Sequence, residues 1–340
     1  MSRRTWTLIV SMLIACGLGV LGGIGEVPYV TLGPGPTYNT LGDVDGRAVV
    51  SIDGQTTYPT AGQLNMTTVV VSDGVTLFDA LGKWLSGRYA IVPREEYFPP
   101  TKTEEQIQQE NVQAFQDSET NAEAAALSYL KYPTKVIVDS VVAGAPAQGK
   151  LKPGDELKAI NGAPISSADQ MREVLGGTEP GKQVEVRFQR GQTTETVVVT
   201  LAEHPEDKRR GFLGVAPANS PDVPFHVKIN VPDVGGPSAG LMLALAIVDK
   251  LSPGELNGGQ FVAGTGEINS DGQVGAIGGI PFKMTAAREA GATVFLVPED
   301  NCLEARQRAP EGLRLVKVGT LADAVGALDN LRDGRDAPSC

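Results

Sequence analysis

Ser238 stands in "GGPSAGLMLALAIVD", residues 235–249, between a proline and a small Ala-Gly pair at the mouth of an apolar run with helical character. A serine in that position either caps the helix or acts as a nucleophile, and a nucleophile needs a base to take its proton. The chain holds two histidines, His204 and His226, and neither offers a convincing partner. His204 sits among charged linker residues, and His226 lies in an alternating strand. A lysine can serve instead where desolvation lowers its pKa toward neutrality. Lys283 has such an address, after "GAIGGIPF" and before "MTAA". The competing reading is that its stem lies along apolar surface while the ammonium reaches water. At a helix N-terminus Ser238 would also have unpaired N–H groups and a positive dipole end beside it, which suits an oxyanion. Pro237 has no N–H, so the donors must come from Ser238 itself and neighbouring Gly or Ala residues.

The elements that would position these residues form an α/β unit over 206–340. "FHVKINV" alternates as a strand, and "SAGLMLALAIVDKL" is apolar nearly all round, which predicts a buried helix. "FVAGTGEI", an Asp271-Gly272 turn, "QVGAIGGI", the helix "KMTAAREA" stopped by Gly291, the strands "TVFLV" and "LRLVKV", and a helix from Leu321 complete it. Together, "GGPSAG", "GTGEI" and "DGQVGAIGGIPFK" with "AAREAGATVFLVP" resemble the proteolytic domain of the Lon family of serine proteases. Ser238 and Lys283 are 45 residues apart, near the family's separation. The resemblance implies Ser238 as nucleophile and Lys283 as general base. It also implies a supporting role for the Thr265 hydroxyl, which otherwise reads as an ordinary strand threonine. Gly236 matches the glycine before Pro-Ser, where substrate backbone can approach closely. Gly235 departs from the acidic residue common in ATP-dependent relatives.

Residues 133–205 read as a second unit. "KVIVDSVVAGAPAQGKLKPGDELKAINGAPI" gives a strand, a tight loop, a Pro-Gly-Asp turn, a strand and an Asn161-Gly162 hairpin turn. A short helix follows Ser166 or Ser167 and ends at Gly176-Gly177, before the strands "VEVRF" and "ETVVVTL". This segment resembles a bacterial PDZ domain, a small β-barrel with helices. The resemblance implies a groove for an extended peptide, often taken by its C-terminus, with the helix 168–175 as one wall. "GAPAQGKL" (144–151) matches G-x-x-x-x-G-K but has Leu151 where a phosphate loop needs Ser or Thr, so ATP binding is not expected.

Residues 31–132 read as a membrane-proximal mixed region. "VTLGPGPTYNTLG" is an extended exit, and "RAVVSI" and "NMTTVVVS" are strands. "TLFDALGKWLSG" is a short helix with Leu77, Leu81 and Leu85 at four-residue spacing, and the segment 36–100 is expected to pack on its neighbours. "TEEQ" from Thr103 has capping-box spacing before one or two polar surface helices whose acidic face is expected to be solvated.

Residues 1–30 carry Arg3 and Arg4, then no charge from Thr5 through Gly25, a length that spans a bilayer core and places the Arg pair in the cytoplasm. A cleaved signal peptide is the alternative, and "LIAC" (13–16) resembles a lipobox with Cys16 as the lipid-bearing residue. The apolar run continues past Cys16, which favours an uncleaved anchor. Of the three cysteines, Cys302 and Cys340 are free to pair outside the cell, and the sequence leaves that open. A net charge of −11 argues against nucleic acid or an anionic membrane surface as a partner. No metal or other cofactor is expected.

Anchor, PDZ-like unit and Lon-like unit in this order resemble the bacterial YlbL-type membrane-anchored proteases. The fold class expected is thus a transmembrane helix, a PDZ-like β-barrel and a Lon-like α/β domain. The expected activity is ATP-independent serine endopeptidase on flexible or unfolded extracytoplasmic polypeptides, with the PDZ-like domain recruiting or gating them. The resemblance further implies a homo-oligomer. The rival readings are an inactive anchored PDZ adaptor and an enzyme that only processes itself, with 94–118 as the cut region.

Overall fold

The computed structural model describes residues 3–232 and 234–340; Met1 and Ser2 of the expected anchor lie outside them. The helices are α1 (Arg3–Ile24), α2 (Leu77–Leu85), α3 (Glu104–Tyr129), α4 (Ala168–Gly176), α5 (Gly240–Leu251), α6 (Ile280–Ala290), α7 (Cys302–Gln307) and α8 (Leu321–Arg332). The principal strands are β1 (Tyr29–Asn39), β2 (Gln63–Ser72), β3 (Ala90–Pro93), β4 (Thr134–Val141), β5 (Glu156–Ile160), β6 (Gln183–Arg190), β7 (Thr193–Thr200), β8 (Val215–Pro221), β9 (Phe261–Gly264), β10 (Val294–Pro298) and β11 (Arg314–Val318).

Two sheets organise these elements, and neither respects the linear division of the chain. The first has the order β11-β10-β9-β2-β1-β3. Its β9, β10 and β11 run parallel, β9 runs parallel to β2, and β1 is antiparallel to both β2 and β3. Strands from before the PDZ-like unit therefore make half of the proteolytic sheet. Residues 31–132, expected as a membrane-proximal mixed region packed on its neighbours, share this sheet with the downstream unit. Leu64 and Met66 of β2 and Phe115, Ala122 and Ala126 of α3 share one core with Leu241 to Val248 of α5. The physical reason is plain: α5 is buried at every residue but Lys250, so it needs cover on every side. The downstream strands β9–β11 supply one flank, while β2 and α3 supply others.

The PDZ-like unit is thus an insertion between α3 and the serine-bearing segment. Its sheet has the order β7-β6-β5-β4-β8, with a separate apolar core. Strand β8 pairs antiparallel with β4, so the PDZ sheet takes its edge strand from beyond residue 205. The Asn161-Gly162 turn forms with both residues at positive φ, 50° and 80°. Residues 144–151 form turns, and Lys150 Nζ donates to Val198 O, 2.9 Å away. No helix N-terminus follows on which phosphate could sit.

Residues 104–129 make one helix. Thr103 and Gln106 form its capping box: the Thr103 hydroxyl accepts from Gln106 N, and the Gln106 side chain accepts from Thr103 N. Its acidic face is not uniformly solvated, since Glu119 and Glu123 are half-buried and burial raises both carboxyl pKa values, that of Glu119 to about 7. Residues 94–96 are a 3-10 turn, so most of the region singled out for self-cleavage is helical rather than extended chain.

Helix α1 has 22 residues and an apolar window of mean hydropathy 2.2, long and apolar enough to cross a membrane. Cys16 lies exposed within it. Cys302 and Cys340 are joined as a disulfide, which ties the C-terminal tail to α7.

Candidate active site

Ser238 is not a helix cap. The N-cap of α5 is Ala239, with no side-chain cap bond, and the Ser238 hydroxyl instead meets the Lys283 amine at 2.6 Å. Lys283 projects from the first turn of α6, which begins after Gly279 in the left-handed region at φ 71°. That turn points the side chain inward, leaving Lys283 3% exposed. Burial pushes its pKa down to about 8.

Thr265 lies just past the end of β9, fully buried, and its hydroxyl holds both partners. It accepts from Lys283 Nζ at 3.0 Å and donates to the Ser238 carbonyl at 3.0 Å. The same carbonyl accepts Gly266 N at 3.0 Å, while Leu241 N donates back to Gly266 O. The turn at 265–266 and the start of α5 therefore fix each other, and Ser238 with them. Among the described residues no acceptor is found for the N–H groups of Ser238 or Ala239. These two donors sit at the N-terminal end of α5, where an oxyanion would be stabilised.

The serine turn is held from behind by α3, a contribution that the sequence did not suggest. Ser118 Oγ donates to Pro237 O at 2.9 Å, and Gly236 N donates to Asn111 O at 2.9 Å. Gly236 has φ 83° with open space beside it, so its face toward the cleft is bare backbone. A Cβ on Gly235 would lie 2.9 Å from Asn111 Cβ, so a side chain at that position would crowd α3. Neither histidine approaches the dyad: His226 pairs with Asp53 in an exposed strand, and His204 packs edge-on against Phe212.

A cleft of about 670 Å³ opens in front of Ser238. Val69, Val71, Tyr97 and Ile277 give it apolar walls, and Glu267 and Lys283 are the charged residues lining it. β9 pairs with β2 only as far as Met66, so the outer half of β2 runs along this cleft beyond the end of β9.

A second groove lies in the inserted unit, between α4 and the edge strand β8. Its volume is about 430 Å³, and Met171, Leu175, Phe212 and Val215 line it with Arg172 and Arg210 at the rim. Leu213 and Gly214, in the stretch "RGFLGV", have no acceptor for their N–H groups among the described residues. The alternation of Gly with apolar residues just before a strand is the signal that would have located this loop.

Residues 213–325 match the family model of the Lon protease C-terminal proteolytic domain, and residues 107–201 match that of the PDZ domain. The Lon protease of Clostridioides difficile is 36% identical over 93 residues, 27% of this chain and 11% of that one. The Lon protease of Phenylobacterium zucineum is 30% identical over 152 residues, 43% of this chain and 18% of that one. The chain thus spans less than a fifth of the length of these relatives. Among solved structures, the PDZ domain of the SdrC-like protein from Listeria monocytogenes aligns at 22% identity with a TM-score of 0.23, covering 24% of this chain and 85% of that one. A solution structure from Geobacillus thermodenitrificans aligns at 32% identity with a TM-score of 0.22, covering 24% and 93%. By its two family matches, the chain carries a protease domain of Lon type together with a PDZ domain. The Lon match starts at 213 and leaves out β1–β3 and α3, which complete its sheet and hold its serine turn.

Proposed function

We propose that this chain is a membrane-anchored, ATP-independent serine endopeptidase with a Ser238–Lys283 dyad, acting on flexible or unfolded extracytoplasmic polypeptides. The observation that carries the reading is the 2.6 Å contact between the Ser238 hydroxyl and a buried lysine whose pKa lies near 8. Neutral Lys283 takes the serine proton as Oγ attacks the scissile carbonyl. The oxyanion is stabilised by the N–H groups of Ser238 and Ala239. Protonated Lys283 then gives its proton to the departing amine, leaving an acyl-enzyme. Water activated by the same amine hydrolyses that ester and restores both groups. Thr265 keeps the amine aimed at Oγ throughout.

Substrate enters as extended chain, adding as a strand along the outer half of β2. The inserted PDZ domain takes a chain terminus in the α4–β8 groove, its carboxylate on the N–H groups of Leu213 and Gly214 with Arg210 alongside. α1 spans the bilayer with Arg3 and Arg4 in the cytoplasm. The Cys302–Cys340 disulfide favours an oxidising compartment for the catalytic domain.

The test is degradation of an unfolded model protein by the full chain without nucleotide, alongside Ser238→Ala. Wild type cleaves and is labelled by a serine-directed phosphonate; Ser238→Ala does neither, with a loss of at least ~10⁴-fold. Cleavage that persists in Ser238→Ala would sink the proposal. An inactive but well-folded wild type would return the weight to a PDZ adaptor.

A further inference from the structure

The helix α2 is amphipathic the wrong way round for a soluble surface. Leu77, Phe78, Leu81, Trp84 and Leu85 form one face and are 43 to 75% exposed. The opposite side meets the protein with Ala80, which is buried, and with Lys83, whose amine donates to Thr31 Oγ1 of β1 at 3.1 Å and pairs with Asp79 at 3.2 Å. A surface helix of a globular domain turns its apolar stripe to the core. Here the stripe expected from the spacing of Leu77, Leu81 and Leu85 is present but points outward.

The neighbour of that face identifies its partner. Phe78 lies against the last turn of α1, so close to Gly22 that a Cβ there would come within 2.9 Å of its ring. The segments beside the two helices are tied by a bridge between Glu26 and Thr76 and by Val27 N donating to Val75 O at 3.0 Å. Leu18, Leu21 and Ile24 of α1 are exposed too, so the exposed apolar side chains of α2 stand beside the end of an exposed apolar helix that Phe78 touches.

We infer that α2 is an interfacial helix that docks the protease body onto the bilayer, its Leu, Phe and Trp side chains entering the boundary between headgroups and acyl chains. The inference rests on the reading of α1 as a membrane span. A tryptophan at that depth matches the aromatic preference of membrane interfaces. Docking also sets the reach of the active site. β1 leads from Tyr29 to Pro34, which pairs with Val69 in the cleft wall, a path of no more than about 17 Å at the rise of a strand. The cleft is thereby held over polypeptide lying close to the membrane surface.

The chain has two tryptophans, Trp6 in α1 and Trp84 in α2, so each helix can be read alone. The full-length protein is placed in phosphatidylcholine–phosphatidylglycerol vesicles containing phosphatidylcholine brominated in the upper acyl chain. In Trp6→Phe, Trp84 should show blue-shifted emission that brominated lipid quenches and aqueous iodide does not. In Trp84→Phe, quenching of Trp6 reports the span by itself. Trp6 quenched by lipid with Trp84 quenched only by iodide would overturn the docking and leave the span standing. Trp84 shielded from both quenchers would assign the face to a second copy of the chain and also overturn it. If Trp6 escapes the lipid quencher, the span fails and the inference with it. As a second readout, Leu81→Asp with Leu85→Asp should slow cleavage of a vesicle-tethered polypeptide several-fold and leave cleavage of a short soluble peptide unchanged. Equal rates on the tethered substrate would count against the docking.

Discussion

Lys283 in the proteolytic core and Asp155 in the PDZ core are buried to almost the same degree, 3% and 2% exposed, and are solved by opposite means. Asp155 is matched by Arg190, which donates from Nε at 2.7 Å and from Nη2 at 2.6 Å, and it also accepts Lys152 N at 2.8 Å. Burial raises its carboxyl pKa, but these bonds outweigh it and hold the value below the usual one. Among the described residues, Lys283 is met only by hydroxyls, those of Ser238 and Thr265. Desolvation therefore dominates, and the amine is driven toward the neutral form. A buried charge with its counter-ion is architecture, and one without it stores reactivity.

The largest effect should come from removing the unmatched charge. Lys283→Met should abolish cleavage, a fall of ~10⁴-fold or more in kcat, and yet raise stability at neutral pH. The sign follows from the lowered pKa: keeping this amine buried costs folding free energy below about pH 8, and that cost fades as pH rises toward 10.5. The gain has an upper limit of about 3 kcal/mol, less the hydrogen bonds forfeited. Thermal melts at pH 7 and pH 10 check it; a variant less stable than wild type at pH 7 would break the contrast. In the wild type, kcat/KM should rise about tenfold per pH unit up to about pH 8 and then level.

Breaking the matched pair should do the reverse. Arg190→Ala leaves Asp155 buried and uncompensated, at a cost of about 3 to 5 kcal/mol to the PDZ core. Hydrogen exchange of the β4 and β6 amides in the full chain would register the loss, while cleavage of a short peptide should persist. The pair also makes the PDZ core acid-sensitive. Asp155 has a depressed pKa, so its stabilisation is complete above its ordinary value of 3.8 and is lost as pH falls through the folded value.

What the sequence revealed divides along the same line. Ser238, Lys283 and Thr265 could be picked out because each stands in a short local motif, and the structure brings all three within hydrogen-bond reach. The capping box at Thr103 and the Asn161-Gly162 turn were legible for the same reason, since their cause spans a few residues. Ser118 and Asn111 were not, because they reach the serine turn across an inserted domain of some ninety residues, and no local pattern records that contact. The nesting of the PDZ unit escaped notice because β1 to β3 read as ordinary strands whichever sheet they join. In α2 the period was readable but its direction was not: an apolar stripe looks alike facing a core or a membrane.

Thr265 tests how much the hydroxyl cage around Lys283 contributes. Thr265→Val removes the acceptor for the amine and one donor to the Ser238 carbonyl at nearly constant volume. Hydrogen bonds to charged groups contribute about 1.5 to 3 kcal/mol, so kcat should fall roughly 10- to 100-fold with little change in KM. Thr265→Ser should restore most of the rate. A rise in KM alone would mean that Thr265 shapes the cleft rather than the dyad.

Glu119 is the intermediate case and the smallest effect. It is half-buried on α3, and burial raises its pKa to about 7. The stabilisation from its protonated form is complete below the ordinary value of 4.5 and is lost as pH rises through about 7. Glu119→Gln should therefore leave stability at pH 4.5 nearly unchanged and raise it at pH 8. Solvent screening of a half-exposed group limits the gain to about 1 kcal/mol, which is roughly 2 to 4 °C in Tm for a domain of this size. Like that of Lys283, the Glu119 pKa is shifted by burial; unlike Lys283, Glu119 has no hydrogen bond to the dyad among the described residues, so the same substitution should leave kcat and its pH profile where they were. An altered acid limb in Glu119→Gln would show that this carboxyl is coupled to the dyad through α3, and would erase the distinction between a buried charge that does chemistry and one that merely costs stability.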